Sequence, residues 1–214
     1  MLKLCLHILS TLKENVFVAN YHLNKKPILG NYSISKGNTH LQEVIGFSLF
    51  SCAIPLGEEK DFSERIQASC QTSLPAVGSS ADLGGGELKI LRLGDDQAFV
   101  LGRNANDAPE QILRNYGLYK GGYLTEQTGG WVCLKISGTD VHDILERTCS
   151  LDLHLSVFPV GGVVRTVMEH MGVILYREKE AQFLLLSASS SAVSFVHLLT
   201  TSIDNISNEE AVPH

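Results

Sequence analysis

The chain has no run of lysines or arginines, no CxxC pair and no stretch apolar enough to span a bilayer. Each absence removes a class of function. With 17 Lys and Arg against 23 Asp and Glu, the formal charge is −6 and the pI is near 5.7. That leaves no basic face to grip nucleic-acid phosphates and no polybasic patch for an anionic membrane. The implied partner is a protein or a small molecule. Five cysteines, at 5, 52, 70, 133 and 149, show neither close pairing nor paired histidine spacing. Zinc is therefore not expected, and an odd number of scattered thiols reads as reduced, intracellular cysteine. GxSxG, HExxH and dinucleotide fingerprints are missing. The glycine-rich "LGGGELK" (83–89) precedes a strand, lacks a Lys-Ser/Thr ending and opens no helix, so it cannot cradle phosphates. "VGG" (160–162) reads as a connection. The longest uncharged stretch, Ala181 to Ile203, carries Gln182, six serines, His197 and two threonines, too polar for the hydrocarbon core. "MLKLCLHILSTLKEN" at the N-terminus has a short apolar run broken by His7 and no small-residue cleavage site, so secretion is not expected. These features describe a cytoplasmic protein without a membrane span.

What is present is enough for a sizeable core. The chain has 214 residues, 44% hydrophobic and 19% charged, the composition of one large domain or of two halves sharing a core. Residues 1–45 mix apolar residues and lysines without sustained periodicity and read as an N-terminal arm. "IGFSLFSCAI" (45–54) is β-rich and is ended by Pro55 and Gly57. "DFSERIQASC" (61–70) places Phe62, Ile66 and Cys70 on one helical face. "ELKILRLGDDQAFVLG" (87–102) reads as two strands joined by a Gly-Asp-Asp turn. "APEQILRNYG" (108–117) has Pro109 near a helix start and Gly117 as a stop.

The order then repeats. "GWVCLKI" alternates Val132, Leu134 and Ile136 against Trp131, Cys133 and Lys135, as a strand requires. "SGTDVHDILERTC" is a helix, with Thr139 or Asp140 as the expected N-cap and Val141, Ile144, Leu145 and Thr148 on one face. "VVRTVMEHMGVILYRE" and "AQFLLLS" read as strands. "SAVSFVHLLTTSI" (191–203) closes with a stripe of Ala192, Phe195, Val196, Leu199 and Ile203, and 204–214 reads as a flexible tail. "KILRLGDDQAFVLG" and "ILYREKEAQFLLLS" are the matching ends of two β-α-β-β-α units, about 46–117 and 130–203. The expectation is one duplicated α+β domain over 46–203, with mostly antiparallel sheets and helices on one face.

Candidate reactive groups each have a plainer explanation. Cys133 with His142 could be a nucleophile and base, but Cys133 lies mid-strand. His142 shares a polar helix face with Asp143 and Glu146, and nothing requires the two to meet. Cys149 sits at the apolar edge of its helix, a usual place for an inert thiol. Asp152 and His154 would share a face if extended, yet a metal there needs further ligands from afar, for instance His170. No catalytic, cofactor-binding or metal residue is assigned. Trp131 faces away from the helices, to be covered either by the other repeat or by another chain, where aromatics are enriched.

The second half carries a family pattern. "GWVCLKISGTDVHDILERTCSLDLHLSVFPVGGVVRTVMEH" resembles the gamma subunit of bacterial heterotetrameric sarcosine oxidase. The resemblance rests on Trp131, Ser137-Gly138, Cys149, Leu151 to His154, Phe158, Gly161 and Arg165-Thr166. "LRLGDDQAFVLG" fits more loosely, with Gln97 where an aromatic is usual. It covers about 46–203 and implies a fold similar to the folate-binding domain of the glycine-cleavage T-protein. It also implies a non-catalytic, assembling role in a complex that oxidatively demethylates sarcosine. Alpha, beta and delta subunits would then hold FAD, FMN, NAD, tetrahydrofolate and zinc. Contacts with them are expected at Trp131, His154, Phe158 and Arg165. The rival relative is a stand-alone folate-binding protein that assists iron–sulfur enzymes. Its hallmark resembles "KGCYxGQE", but here "KGGYLTEQ" (120–127) has Gly122 in place of the cysteine.

Overall fold

A computed structural model of the chain describes residues 26–83, 86, 88–102 and 123–210. The first half runs β3 (Ser48–Ala53), α1 (Glu59–Cys70), β4 (Ser80–Leu83), β5 (Leu88–Arg92) and β6 (Gln97–Gly102). The second runs β8 (Trp131–Gly138), α2 (Val141–Glu146), β9 (Val163–Met168), β10 (Met171–Lys179), β11 (Gln182–Ala188) and α3 (Ala192–Glu210). Before the first half come β1 (Ser33–Lys36) and β2 (Thr39–Glu43), and before the second comes β7 (Tyr123–Glu126).

The strands form a six-stranded sheet, ordered β1-β2-β8-β11-β10-β9, and a five-stranded sheet, ordered β4-β5-β6-β3-β7. Every pairing between named strands is antiparallel. Four strands of each half take the same order, β9-β10-β11-β8 matching β4-β5-β6-β3. The duplication is therefore a fact of the topology. The leading strands are exchanged: β2 pairs with β8 of the second half, and β7 pairs with β3 of the first. Each swapped strand covers an edge that would otherwise present unpaired N–H and C=O groups.

This exchange corrects the limits read from the sequence. Residues 33–43 are no detached arm: Leu41, fully buried, pairs with Ile136, and Glu43 pairs with Leu134. "THLQE" has one strong apolar residue, so its period-2 signal is weak, although Thr39, Leu41 and Glu43 all face inward. The short β4, "SADL", adds a strand to the first half that its apolar content does not advertise. The helix expected at 108–117 lies outside the described residues. At the other end α3 continues past the expected tail boundary to Glu210, with Ile206 in the core and Lys36 bonded to Asp204.

Alternation along the strands builds three apolar layers. Val132, Leu134 and Ile136 of β8 pack with Val141, Ile144 and Leu145 of α2 and Phe195, Leu199 and Ile203 of α3. Phe62, Ile66 and Cys70 of α1 pack on Phe50, Ile90 and Val100 of the five-stranded sheet. Between the sheets, Cys133, Ile174, Leu184 and Leu186 meet Leu49, Leu91, Phe99 and Leu101. The order across the molecule is helix, sheet, sheet, helix, with each sheet carrying helices on one face. Strands β10 and β11 are buried on both faces from Val173 to Arg177 and from Phe183 to Ser187, which is why they read as near-continuous apolar runs.

The caps show local sequence yielding to tertiary contact. Asp140 stands at the N-cap of α2, but its side chain does not cap the helix. Its carboxylate instead accepts from the Asn38 N–H at 3.2 Å and the Thr139 hydroxyl at 2.6 Å, tying α2 to the β1–β2 turn. Gly138 permits that approach: with φ of +132°, a Cβ there would fall 1.8 Å from the Asn38 carbonyl oxygen.

Candidate functional site

The six-stranded sheet separates the two residues most suggestive of catalysis. Cys133 points into the inter-sheet layer and is 1% exposed. His142 lies on the helix side, edge-on to Phe183 with ring centroids 5.7 Å apart. A nucleophile and base must come within hydrogen-bond reach, and here a sheet stands between them. The other described thiols, Cys52, Cys70 and Cys149, are held neutral. Burial pushes Cys52 up to about 12 and raises Cys70 and Cys149, the reverse of what an activated nucleophile needs. Cys149 also donates to the Leu145 carbonyl at 3.3 Å.

Asp152 and His154 come together locally: the Asp152 carboxylate accepts the His154 N–H at 2.9 Å, while the ring Nδ1 meets the Ser156 hydroxyl at 2.8 Å. This is a turn held by its own side chains. Among the described residues no group of three or more His, Cys, Asp or Glu is placed to hold a metal ion.

The residue that organises this region is Arg177, 0% exposed in the core of the second half. A guanidinium carries five N–H donors, and all of them are used. Nε and Nη2 donate to the Glu180 carbonyl at 3.1 and 2.7 Å. Nη1 donates to the carbonyls of Leu153 and Phe158 at 2.8 and 2.6 Å. Nη2 also donates to His142 Nε2 at 2.9 Å, a bond that uses the imidazole lone pair. The charge lies 5.1 Å above the Phe183 ring. Burial lowers the Arg177 pKa, and Glu180 pulls it back up. One side chain thus fixes α2, the 153–158 loop and the β10–β11 turn.

Arg177 is not among the candidate residues named from the sequence, although the matching ends of the two repeats carry its signal. "LRLGDDQ" and "YREKEAQ" superpose Arg92 on Arg177 and Gln97 on Gln182. The structure repeats the match. The Arg92 backbone N–H donates to Ser79 O and its carbonyl accepts from Gly78 N. The Arg177 N–H donates to Gly162 O and its carbonyl accepts from Gly161 N.

Of the four expected partner contacts, the structure brings two pairs together. The half-buried Trp131 ring meets Phe99 of the other half edge-on at 5.7 Å, and its Nε1 donates to Gln127 at 3.5 Å. Arg165 sits over the same Phe99 ring at 5.9 Å. Phe99 is therefore held from two sides within the chain. Phe158, half-buried, packs against the helix-side core and gives its carbonyl to Arg177, while His154 stays exposed on the same loop. That loop also exposes Leu155, Val157 and Val160, at 41%, 60% and 53%. No described helix is long and apolar enough to cross a membrane; Ala181–Ile203 is divided between a strand and an amphipathic helix.

Known proteins share this arrangement. The sarcosine oxidase subunit gamma of Corynebacterium sp. strain U-96 is 27% identical over 147 residues, 68% of this chain and 70% of that protein. That of strain P-1 is 22% identical over 120 residues, 56% of this chain and 59% of its own. A chain of the heterotetrameric sarcosine oxidase from Corynebacterium sp. U-96, solved with pyrrole 2-carboxylate, superposes with a TM-score of 0.67 at 21% identity. The match covers 81% of this chain and 88% of that one. The glycine cleavage system aminomethyltransferase T of Bartonella henselae shares the fold, with a TM-score of 0.59 at 13% identity over 77% of this chain and 46% of its own. The model of the sarcosine oxidase gamma subunit family matches residues 81–204, from β4 into α3 and more than half the chain. With the whole second half and the β4–β6 strands of the first inside that match, the chain belongs to the sarcosine oxidase gamma subunit family.

Proposed function

We propose that this chain is the gamma subunit of a cytoplasmic heterotetrameric oxidase complex of the sarcosine oxidase type, and that its role there is assembly. The complex would oxidatively demethylate sarcosine to glycine and pass the one-carbon unit to tetrahydrofolate. The observation that carries this reading is family membership over residues 81–204, which hold the whole second repeat. The geometry of the groups that most suggest chemistry supports the assembling role: Arg177 spends all five donors on holding the fold, and Cys52 and Cys149 are buried as neutral thiols. Alpha, beta and delta subunits would carry FAD, FMN, NAD, tetrahydrofolate and zinc, and Trp131, His154, Phe158 and Arg165 would lie toward them. Co-expression with neighbouring sarcosine-oxidase-like alpha and beta subunits tests the proposal. Co-purification in fixed stoichiometry is expected; a chain that stays alone and monodisperse beside them defeats it. The T-protein fold supports a second reading, autonomous folate binding. Titration with a reduced folate that yields neither heat nor fluorescence change at high micromolar concentration removes that reading.

A further inference from the structure

We propose that the open end of the seam between the two sheets binds an amphipathic organic anion, an apolar body carrying a single carboxylate or sulfonate group. The seam is buried and apolar through the row where Leu186 pairs with Cys133. One row further, Leu184 pairs with Lys135 and Lys135 with Gln42, and the sheets part around a cleft of about 670 Å³. That volume lies in the range of small-molecule sites. Its walls are of two kinds. Val44, Ile45 and Phe47 from the β2–β3 connection and Leu101 from β6 supply apolar surface, while Lys135, Lys179, Glu178 and Gln182 form a polar floor and rim.

The charges of this cleft are unevenly satisfied. Glu43 is committed, its two carboxylate oxygens accepting the Leu29 and Asn31 N–H groups at 3.1 and 2.9 Å. Glu178 accepts from the Gln182 side-chain amide. Among the described residues, no carboxylate lies within 4.0 Å of Lys135 or Lys179. Lys135 is half-buried in mid-strand, with no described counter-charge at that distance. A ligand anion supplies that charge, and the neighbouring Val44, Phe47, Leu101 and Leu184 shield its body. A polyphosphate fits poorly, because among the described residues no arginine and no glycine-rich loop lines the cleft. A metal ion fits poorly too, since no ligating cluster is present among the described residues.

The proposal stands apart from the subunit reading, and its test reads ligand binding instead of co-purification. The full-length chain is titrated with 8-anilino-1-naphthalenesulfonate and, separately, with N-phenyl-1-naphthylamine, the same body without the sulfonate. Saturable one-to-one binding is expected, at least tenfold tighter for the anion. Lys135→Gln and Lys179→Gln should each weaken the sulfonate at least fivefold and leave the neutral probe unchanged. Ile45→Trp, at a position 54% exposed at the mouth, should block both probes. Circular dichroism confirms that each variant is folded. Should Lys135→Gln fail to fold, the exposed Lys179 still decides the matter. Equal affinity for the two probes, binding indifferent to these substitutions, or no saturable binding overturns the proposal.

Discussion

Arg92 and Arg177 occupy the same place in the two halves of the molecule and meet opposite electrostatic surroundings. Each lies near the end of the second strand after its helix, Arg92 as the last residue of β5 and Arg177 two residues before the end of β10. Each donates to the carbonyl three residues on, Asp95 or Glu180, and to the loop that follows the helix, Pro75 or Leu153 and Phe158. Arg92 keeps 13% of its side chain exposed and lies 3.7 and 3.8 Å from Glu59 and Asp95. Arg177 is sealed from water and has no ion-pair partner within 4.0 Å among the described residues, its neighbours being carbonyls, an imidazole and a ring. The duplicated backbone thus sets the position of the guanidinium, and burial decides how it is balanced. In the first half water and carboxylates share the task. In the second every donor must find a backbone or ring partner, so the loop it holds has no freedom to change.

The largest test breaks the chain between the halves. Because β2 and β7 are exchanged, a fragment ending after Gly102 lacks the strand that flanks β3, and one starting at Tyr123 lacks the strand that flanks β8. Each alone should be insoluble or uncooperative in urea, and co-expression should recover a stable pair. A half that folds alone and unfolds cooperatively would show the exchange to be dispensable.

Next in size is the contrast between the arginines. Arg177→Met strands the Leu153, Phe158 and Glu180 carbonyls in an apolar layer, a loss of about 3–5 kcal/mol on the scale for broken buried polar networks. Arg177→Lys should recover little, since an ammonium has three donors and no planar fork. Arg92→Met should cost only about 1 kcal/mol, because water and neighbouring side chains can replace it. Urea unfolding of the three variants measures the difference; equal losses at 92 and 177 would refute the role given to burial.

How much of this was legible follows the strength of the local pattern. α1 was, because Phe62, Ile66 and Cys70 fall at i, i+4 and i+8, and so was the β5–β6 hairpin, with Gly94-Asp95-Asp96 between alternating strands. β2 was not: one leucine among polar letters does not announce a strand, and its burial comes from a partner 95 residues away in β8. Arg177 was hidden for a related reason. An arginine in a strand reads as surface, and only the tertiary carbonyls of residues 153, 158 and 180 justify its burial. The sheet between Cys133 and His142 was half-legible, since strand alternation put Cys133 opposite the helices while the fate of His142 depended on β10.

The thiols offer a smaller test that spans both halves. Cys52 in the first half and Cys149 in the second both titrate above their usual range because burial disfavours the thiolate. An unfolded thiol releases its proton near pH 9 while folded Cys52 holds it to about 12. The Cys52 contribution should therefore be constant below pH 9 and fall above it by about 1.4 kcal/mol per pH unit until the folded thiol itself titrates, with Cys149 adding to the fall in the same direction. Unfolding at pH 8 and 10 should show the slope, and Cys52→Ala should flatten it. Iodoacetamide at pH 8 should leave Cys52 unmodified until urea is added; rapid native alkylation would contradict its burial.

The finest comparison concerns Phe99 and its repeat equivalent Leu184, both facing the seam from the third position of their strands. Phe99→Leu makes the first half like the second at this point. It removes the edge-on contact with Trp131 and the ring beneath Arg165. The aromatic contact contributes about 0.5–1.5 kcal/mol beyond area, and the smaller side chain adds a cavity term of about 1 kcal/mol, so a loss of about 2 kcal/mol is expected. Trp131 is the sole tryptophan, which lets fluorescence report on this contact alone. Its emission should shift to the red in Phe99→Leu as water reaches the uncovered ring. In a complex that places a partner against this strand, the emission of the unmodified chain should shift to the blue. An unchanged spectrum on assembly would remove Trp131 from the interface and leave it wholly to Phe99.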